Sequence, residues 1–226
     1  MAGRTGRRWA VVLLVLLGCG TMAWAETLLR PAYPVKSALK LLVFLGAVGL
    51  YVLLCQDKRP LRAFRRPDGR SLKQAGLLSL AAFVGILGGY ALLSPWIDLS
   101  AIPGNLAAKE GLTAATFPLA ALYISFINSL LEEIFFRGFA FLTLRETGKP
   151  ALAWGFSALA FALYHVCIMG SWFHPVLFVL LTAALAMAGL LFNWLDRWGS
   201  LWPAWLVHMA ANLATNIIGM GLLGIL

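Results

Sequence analysis

The chain is predicted to fold as an all-α bundle of about seven membrane-crossing helices, with a few polar side chains facing a protein interior or a polar, water-filled cavity. Three observations predict it. Of 226 residues 61% are hydrophobic and 12% charged, with a mean hydropathy of +0.85, whereas soluble domains carry about 25% charged residues. The apolar residues fall in long runs, and about 20 such residues in a helix cross a bilayer. A few polar residues sit inside those runs, foremost in Asn128-Ser129-Leu130-Leu131-Glu132-Glu133-Ile134-Phe135-Phe136-Arg137.

The first span is expected at Trp9–Ala25, behind Arg4, Arg7 and Arg8. Ala23-Trp24-Ala25 has a signal-cleavage pattern and Leu16-Leu17-Gly18-Cys19 resembles a lipoprotein box, but a retained helix is the preferred reading. The second span covers Ser37–Cys55. The third covers Leu72–Trp96, with Gly76, Gly85, Gly88 and Gly89 expected to allow close helix contact. Between them lies the most basic segment: Lys58, Arg59, Arg62, Arg65, Arg66, Arg70 and Lys73. Pro103-Gly104-Asn105 marks a turn in a loop from Ile97 to Gly111. A fourth helix begins near Leu112, with no strong breaker before Gly148. The fifth spans Ala151–Met169 and the sixth Pro175–Leu195. The seventh starts near Pro203, a residue suited to a first helical turn. Trp194, Trp198, Trp202 and Trp205 read as an interfacial belt. Residues 1–110 are expected to form an N-terminal set of membrane helices, and 111–226 the membrane domain that holds the paired glutamates.

The charge balance is 18 basic to 9 acidic residues, or +9. In a soluble chain that would point to nucleic acid. Here the cations lie between apolar spans, so the expected partner is a bilayer with anionic headgroups and no nucleic acid. With the N-terminus inside, 14 of the 18 basic residues fall in or beside cytoplasmic segments; Arg30, Lys36, Lys40 and Lys109 do not. That asymmetry is the positive-inside pattern. Cys19, Cys55 and Cys167 show no CxxC spacing and read as core residues.

Carboxylates within an apolar span need partners, because a charge at the bilayer centre costs about 3 kcal/mol on insertion scales. Glu133 and Arg137 lie at i, i+4 and can pair. Glu132 points about 100° away, shares its face with Asn128 and reads as free for chemistry. His165 lies on the fifth helix. His208 and Asn212 share a face of the seventh, and Asn216 extends it; His174 falls in an outer loop. Counting from Gly148 at about 1.5 Å per residue puts Glu132 and His165 level, about 24 Å from the turn. His208 is only about 14 Å past Gly199. That mismatch closes if the Arg145–Lys149 turn protrudes. Carboxylate, two histidines and an asparagine suit amide hydrolysis: a general base acting on water and hydrogen-bond donors for the oxyanion.

Glu132-Glu133-x-x-x-Arg137, Phe161-x-x-x-His165 and His208-x-x-x-Asn212, in that order, resemble the CAAX protease and bacteriocin-processing family of glutamic intramembrane proteases. The likeness covers about residues 110–216, and the first 110 residues carry none of its motifs. It implies that Glu132 and His165 activate water, that His208 and Asn212 form the oxyanion side, and that Glu133 and Arg137 support them. It also implies metal-independent catalysis. Zinc on two His and a Glu is the less favoured reading, since no His-Glu-x-x-His spacing is present.

The expected function is an intramembrane endopeptidase acting on a membrane-associated protein or peptide, in the cytoplasmic (inner) membrane of a bacterium. Leader peptides, anti-sigma-type membrane proteins and C-terminal anchoring tails are candidate substrates. The alternatives are a proton-coupled carrier using the same buried groups and a non-catalytic immunity or scaffold protein.

Overall fold

The computed structural model describes residues 3–169 and 174–226. Among them the protein is all-helical, without a strand. Helix α1 is Arg4–Leu29. Helix α2 is Tyr33–Cys55 and α3 the short Arg59–Arg62. Helix α4 is Gly69–Leu93, prolonged by a 3₁₀ turn at Ser94–Trp96. Helix α5 is Ala101–Glu110 and α6 is Phe117–Thr143. Helices α7, α8 and α9 are Pro150–Met169, Pro175–Asp196 and Trp202–Leu222.

Local chemistry sets these ends. Asp68 caps α4 by accepting the Ser71 N–H at 2.8 Å, which with the Ser71 hydroxyl holds its carboxyl below the usual range. Arg30, Gln56 and Gly111 adopt left-handed conformations that stop α1, α2 and α5. Prolines open α2, α6, α8 and α9 in their first turns, where a missing N–H costs nothing.

Among the described residues six helices are long and apolar enough to cross a membrane: α1, α2, α4 with its 3₁₀ turn, α6, α7 as far as Cys167, and α8. They are consistent with a polytopic membrane bundle. The helix expected as the seventh span is α9, 21 residues long, but it is not among these six, and His208, Asn212 and Asn216 reduce its apolar character. The loop expected between the fifth and sixth helices lies outside the described residues except for His174, which is exposed.

Helix α6 is the axis of the bundle. Every residue from Phe135 to Leu144 is buried, as a helix apolar on all sides requires. Phe44 of α2 stacks on Phe135 with ring centroids 3.9 Å apart. Much of α6 is wound in wider π-type turns, at Tyr123–Asn128 and Glu133–Thr143, a geometry frequent at functional sites.

Four expectations are corrected. The segment 97–111 is not a plain loop, because α5 occupies Ala101–Glu110. Pro103 is tolerated in its first turn, the Asn105 side chain donates to the Ala101 carbonyl, and Leu106 packs with Leu112 and Phe117. The fourth helix therefore begins at Phe117, after a turn closed by Thr113 and Thr116. Glycines 76, 85, 88 and 89 do not mediate close contact: a Cβ at any of them meets nothing within 4 Å. The closest approaches are at Gly18, against Phe135, at Gly219, against Phe117, and at Gly189, where a Cβ would lie 2.9 Å from the Ala158 Cα. Finally, the basic segment is docked as well as exposed. Ala63 accepts the Leu201 N–H at 2.9 Å, and Arg65 accepts the Ser200 hydroxyl at 2.9 Å. Lys58, Arg62, Arg66, Arg70 and Lys73 remain on the surface.

Candidate active site

Helices α2, α6, α7 and α9 each send a polar side chain to one point. From α6, Glu132 is 2% exposed and Glu133 fully buried. The His165 Nε2 of α7 lies 3.7 Å from Glu132 Oε2, and the His208 Nε2 of α9 lies 3.6 Å from the same oxygen. The three groups that sequence spacing placed on different helices do meet. Two features of the structure bear on the levels of these groups. The Arg145 guanidinium donates to the Arg197 carbonyl at 2.7 Å, tying the two turns together. The π-type turns from Glu133 to Thr143 rise less per residue than α turns, which shortens α6.

Hydrogen-bond partners fix the histidine tautomers. His165 Nδ1 is 2.8 Å from the Phe161 carbonyl, which can only accept, so Nδ1 carries the hydrogen. His208 Nδ1 is 2.7 Å from Glu133 Oε1, again an acceptor. In the neutral rings both Nε2 atoms are therefore lone-pair acceptors. Together with Glu132 Oε2 they form three acceptors converging at distances too long for direct hydrogen bonds. The two O–H groups of one water would satisfy Glu132 Oε2 and one of the two Nε2 atoms.

Glu132 is not free, as the spacing had implied. Its Oε1 accepts from the Lys40 ammonium of α2 at 2.5 Å and from Asn128 Nδ2 at 3.0 Å. The same ammonium donates to Asn128 Oδ1 at 2.7 Å and lies 4.8 Å from the centre of the Tyr164 ring. Lys40 went unrecognised in the sequence, where it counted only as an outer flanking cation. The available signal was a lysine one helical turn after Lys36 in an apolar run, since buried intramembrane charges mark function by default.

Glu133 and Arg137 pair as expected, Oε2 to Nε at 3.3 Å with both side chains fully buried. The guanidinium also packs on Phe161 and Phe192, 4.2 and 4.8 Å from the ring centres. Asn212 lines the same cavity as Glu132, with Nδ2 donating to the Ile124 carbonyl at 3.2 Å. Asn216 is a structural tie, donating to Ala121 and Ser125 of α6. Of the tryptophan belt, Trp205 is also an internal tie, with Nε1 3.1 Å from Ser129 Oγ.

The cavity has a volume of about 250 Å³. At its far end Lys36 bridges Glu26, at 2.7 Å, and Glu110 of α5, at 2.9 Å. Burial pushes the Glu110 carboxyl above the usual range, against the pull of Lys36.

Among the described residues no group of three or more His, Cys, Asp and Glu side chains is arranged to hold a metal ion. Glu132, His165 and His208 offer three lone pairs, but the Lys40 ammonium on the same carboxylate opposes a second cation there.

No curated protein and no solved structure matches the chain. Residues 114–214 match the family model described as Type II CAAX prenyl endopeptidase Rce1-like. Helices α1 to α5, including Lys40, lie before the matched stretch. The stretch that holds Glu132, Glu133, Arg137, His165, His208 and Asn212 thus carries a Rce1-like CAAX protease/Abi family domain match.

Proposed function

We propose that the protein is an intramembrane endopeptidase that hydrolyses a peptide bond of a membrane-associated protein or peptide. One observation carries the reading: the buried Glu132 Oε2 has the Nε2 atoms of His165 and His208 within 3.7 and 3.6 Å, and all three residues line one cavity. In this mechanism Glu132 takes a proton from the water as its oxygen attacks the scissile carbonyl. The oxyanion is met by Asn212 of α9, which supplies an N–H; the Nδ1–H of His208, read as a donor on that side from the sequence, is held by Glu133. The proton then passes to the leaving amine, giving a carboxylic acid and an amine and returning Glu132 to its starting state. Glu133 orients His208 by accepting its Nδ1–H, and Arg137 balances Glu133. The topology that fits is seven spans with the N-terminus inside, in a bacterial cytoplasmic membrane; the distribution of basic residues supports it.

The test is purified protein in detergent with a library of membrane-protein peptides, read by mass spectrometry at each cleavage site. Glu132→Gln keeps the shape of the side chain but cannot take the proton. It should bind substrate and stay folded while turnover disappears. Cleavage at the wild-type rate by that variant would refute the mechanism. Proton-coupled uptake into vesicles without peptide cleavage would favour the carrier reading. Chelator should leave cleavage unchanged; inactivation by EDTA and recovery with zinc would make Glu132, His165 and His208 ligands.

A further inference from the structure

We infer that Lys40, a residue of α2 outside the matched stretch, is the positioning residue of the proposed hydrolysis: it fixes Glu132 through Oε1 so that Oε2 alone faces the water. The inference rests on the proposed function and names a part of the site that the motifs do not contain.

The geometry is a closed triangle. Lys40 Nζ donates to Glu132 Oε1 and to Asn128 Oδ1, and Asn128 Nδ2 donates to Glu132 Oε1. Each of the three polar groups is thereby fixed by the other two, and Oε1 is spent. A carboxylate has two near-equivalent oxygens, so without the triangle a rotation about its last bond would exchange them. With it, one oxygen is anchored and the other directed at the two Nε2 atoms.

Charge supports the same role. Glu132 and Glu133 are adjacent, buried and acidic, and a lone cation could neutralise only one of them. Arg137 is committed to Glu133. His208 in its neutral form brings no charge. Lys40 is the cation within ion-pair distance of Glu132, and it is 6% exposed, so water does not screen the pair. Its ammonium also rests against the Tyr164 and Phe44 rings, which holds the long side chain in one conformation. An arginine cannot reproduce this compact point charge, because its planar fork has a different reach.

The experiment compares charge at constant size. Lys40→Cys is made in a chain whose Cys19, Cys55 and Cys167 are alanine, and the folded protein is alkylated with 2-bromoethylamine or with 1-bromopropane. The first adduct restores an ammonium at nearly the length of lysine, and the second is its neutral counterpart. The substrate is a quenched peptide built on a site that the wild type cleaves. The aminoethyl adduct should recover kcat to within about tenfold of the alanine background, while the propyl adduct stays at least about a hundredfold below it, the scale of a misplaced catalytic group. KM should change little between the adducts. Equal kcat for the two adducts would overturn the assignment and leave the protease reading intact. A wild type that cleaves no peptide would overturn both. Lys40→Met serves as a second variant: a folded, monodisperse protein with low kcat supports the inference, and one with wild-type kcat refutes it.

Discussion

Replacing Arg137 by methionine should lower stability for a reason that a second substitution can undo. Arg137 and Glu133 are both without solvent exposure, 3.3 Å apart. Truncating one partner of a buried pair costs about 3–5 kcal/mol, because the other charge is left uncompensated. Glu133 would keep the His208 Nδ1 contact at 2.7 Å, so the lower end, about 3 kcal/mol, is the expected cost. For a chain of this size about 1 kcal/mol moves Tm by about 2–4 °C, giving a fall of about 6–12 °C. The nine tryptophans make intrinsic fluorescence during heating in detergent a direct assay. Glu133→Gln combined with Arg137→Met removes both charges at nearly constant shape and should recover most of the loss. An Arg137→Met protein that melts with the wild type would refute the reasoning. So would a double variant no more stable than the single one.

Asn212→Ala should reduce kcat about 10²- to 10³-fold with KM little changed, the usual loss for one oxyanion donor; steady-state kinetics on a cleaved peptide check it. Gly189→Val should cost about 1–3 kcal/mol by forcing α8 from α7, since the new side chain begins 2.9 Å from the Ala158 Cα; heating in detergent reads it as a lower Tm. Burial raises the Glu110 pKa above its ordinary 4.5, so the folded chain holds that proton more tightly than the unfolded one. The stabilisation is then complete below the unfolded pKa and is lost as pH rises through the folded value. Glu110→Gln should accordingly gain in Tm on the wild type as pH is raised from below 4.5 to neutrality, with Lys36 still held by Glu26. A Tm difference independent of pH would contradict this.

The positions of Glu132, Glu133, His165, His208 and Asn212 were legible because a polar side chain in an apolar span stands out, and i, i+4 spacing shows which of them share a face. Lys40 was not, although it stands in an equally apolar run. Its partners are 88 and 92 residues away, and no local spacing announces a contact between helices. The same holds for Lys36 with Glu110, 74 residues apart. Helix α5 was hidden by Pro103-Gly104, which reads as a turn unless the packing of Leu106 on Leu112 and Phe117 is known. The π-type winding of α6 has no sequence signature of its own, yet it alters the level at which Glu132 meets His208.

That winding bears on why two adjacent glutamates work as a unit. Neighbours on a helix point about 100° apart, so Glu132 and Glu133 cannot both face the cavity. His208 reconciles them from α9, with Nδ1 on Glu133 at 2.7 Å and Nε2 facing Glu132 at 3.6 Å. The inward carboxylate thereby sets the tautomer of a ring whose other nitrogen faces the cavity. Each carboxylate has its own cation, Lys40 on one side and Arg137 on the other. Removing Lys40 would leave Glu132 without its cation beside His208, the ring that contacts both carboxylates. The lysine and the Glu133–Arg137 pair are in this way coupled through a single imidazole, though they are contributed by different helices and do not form an ion pair with each other.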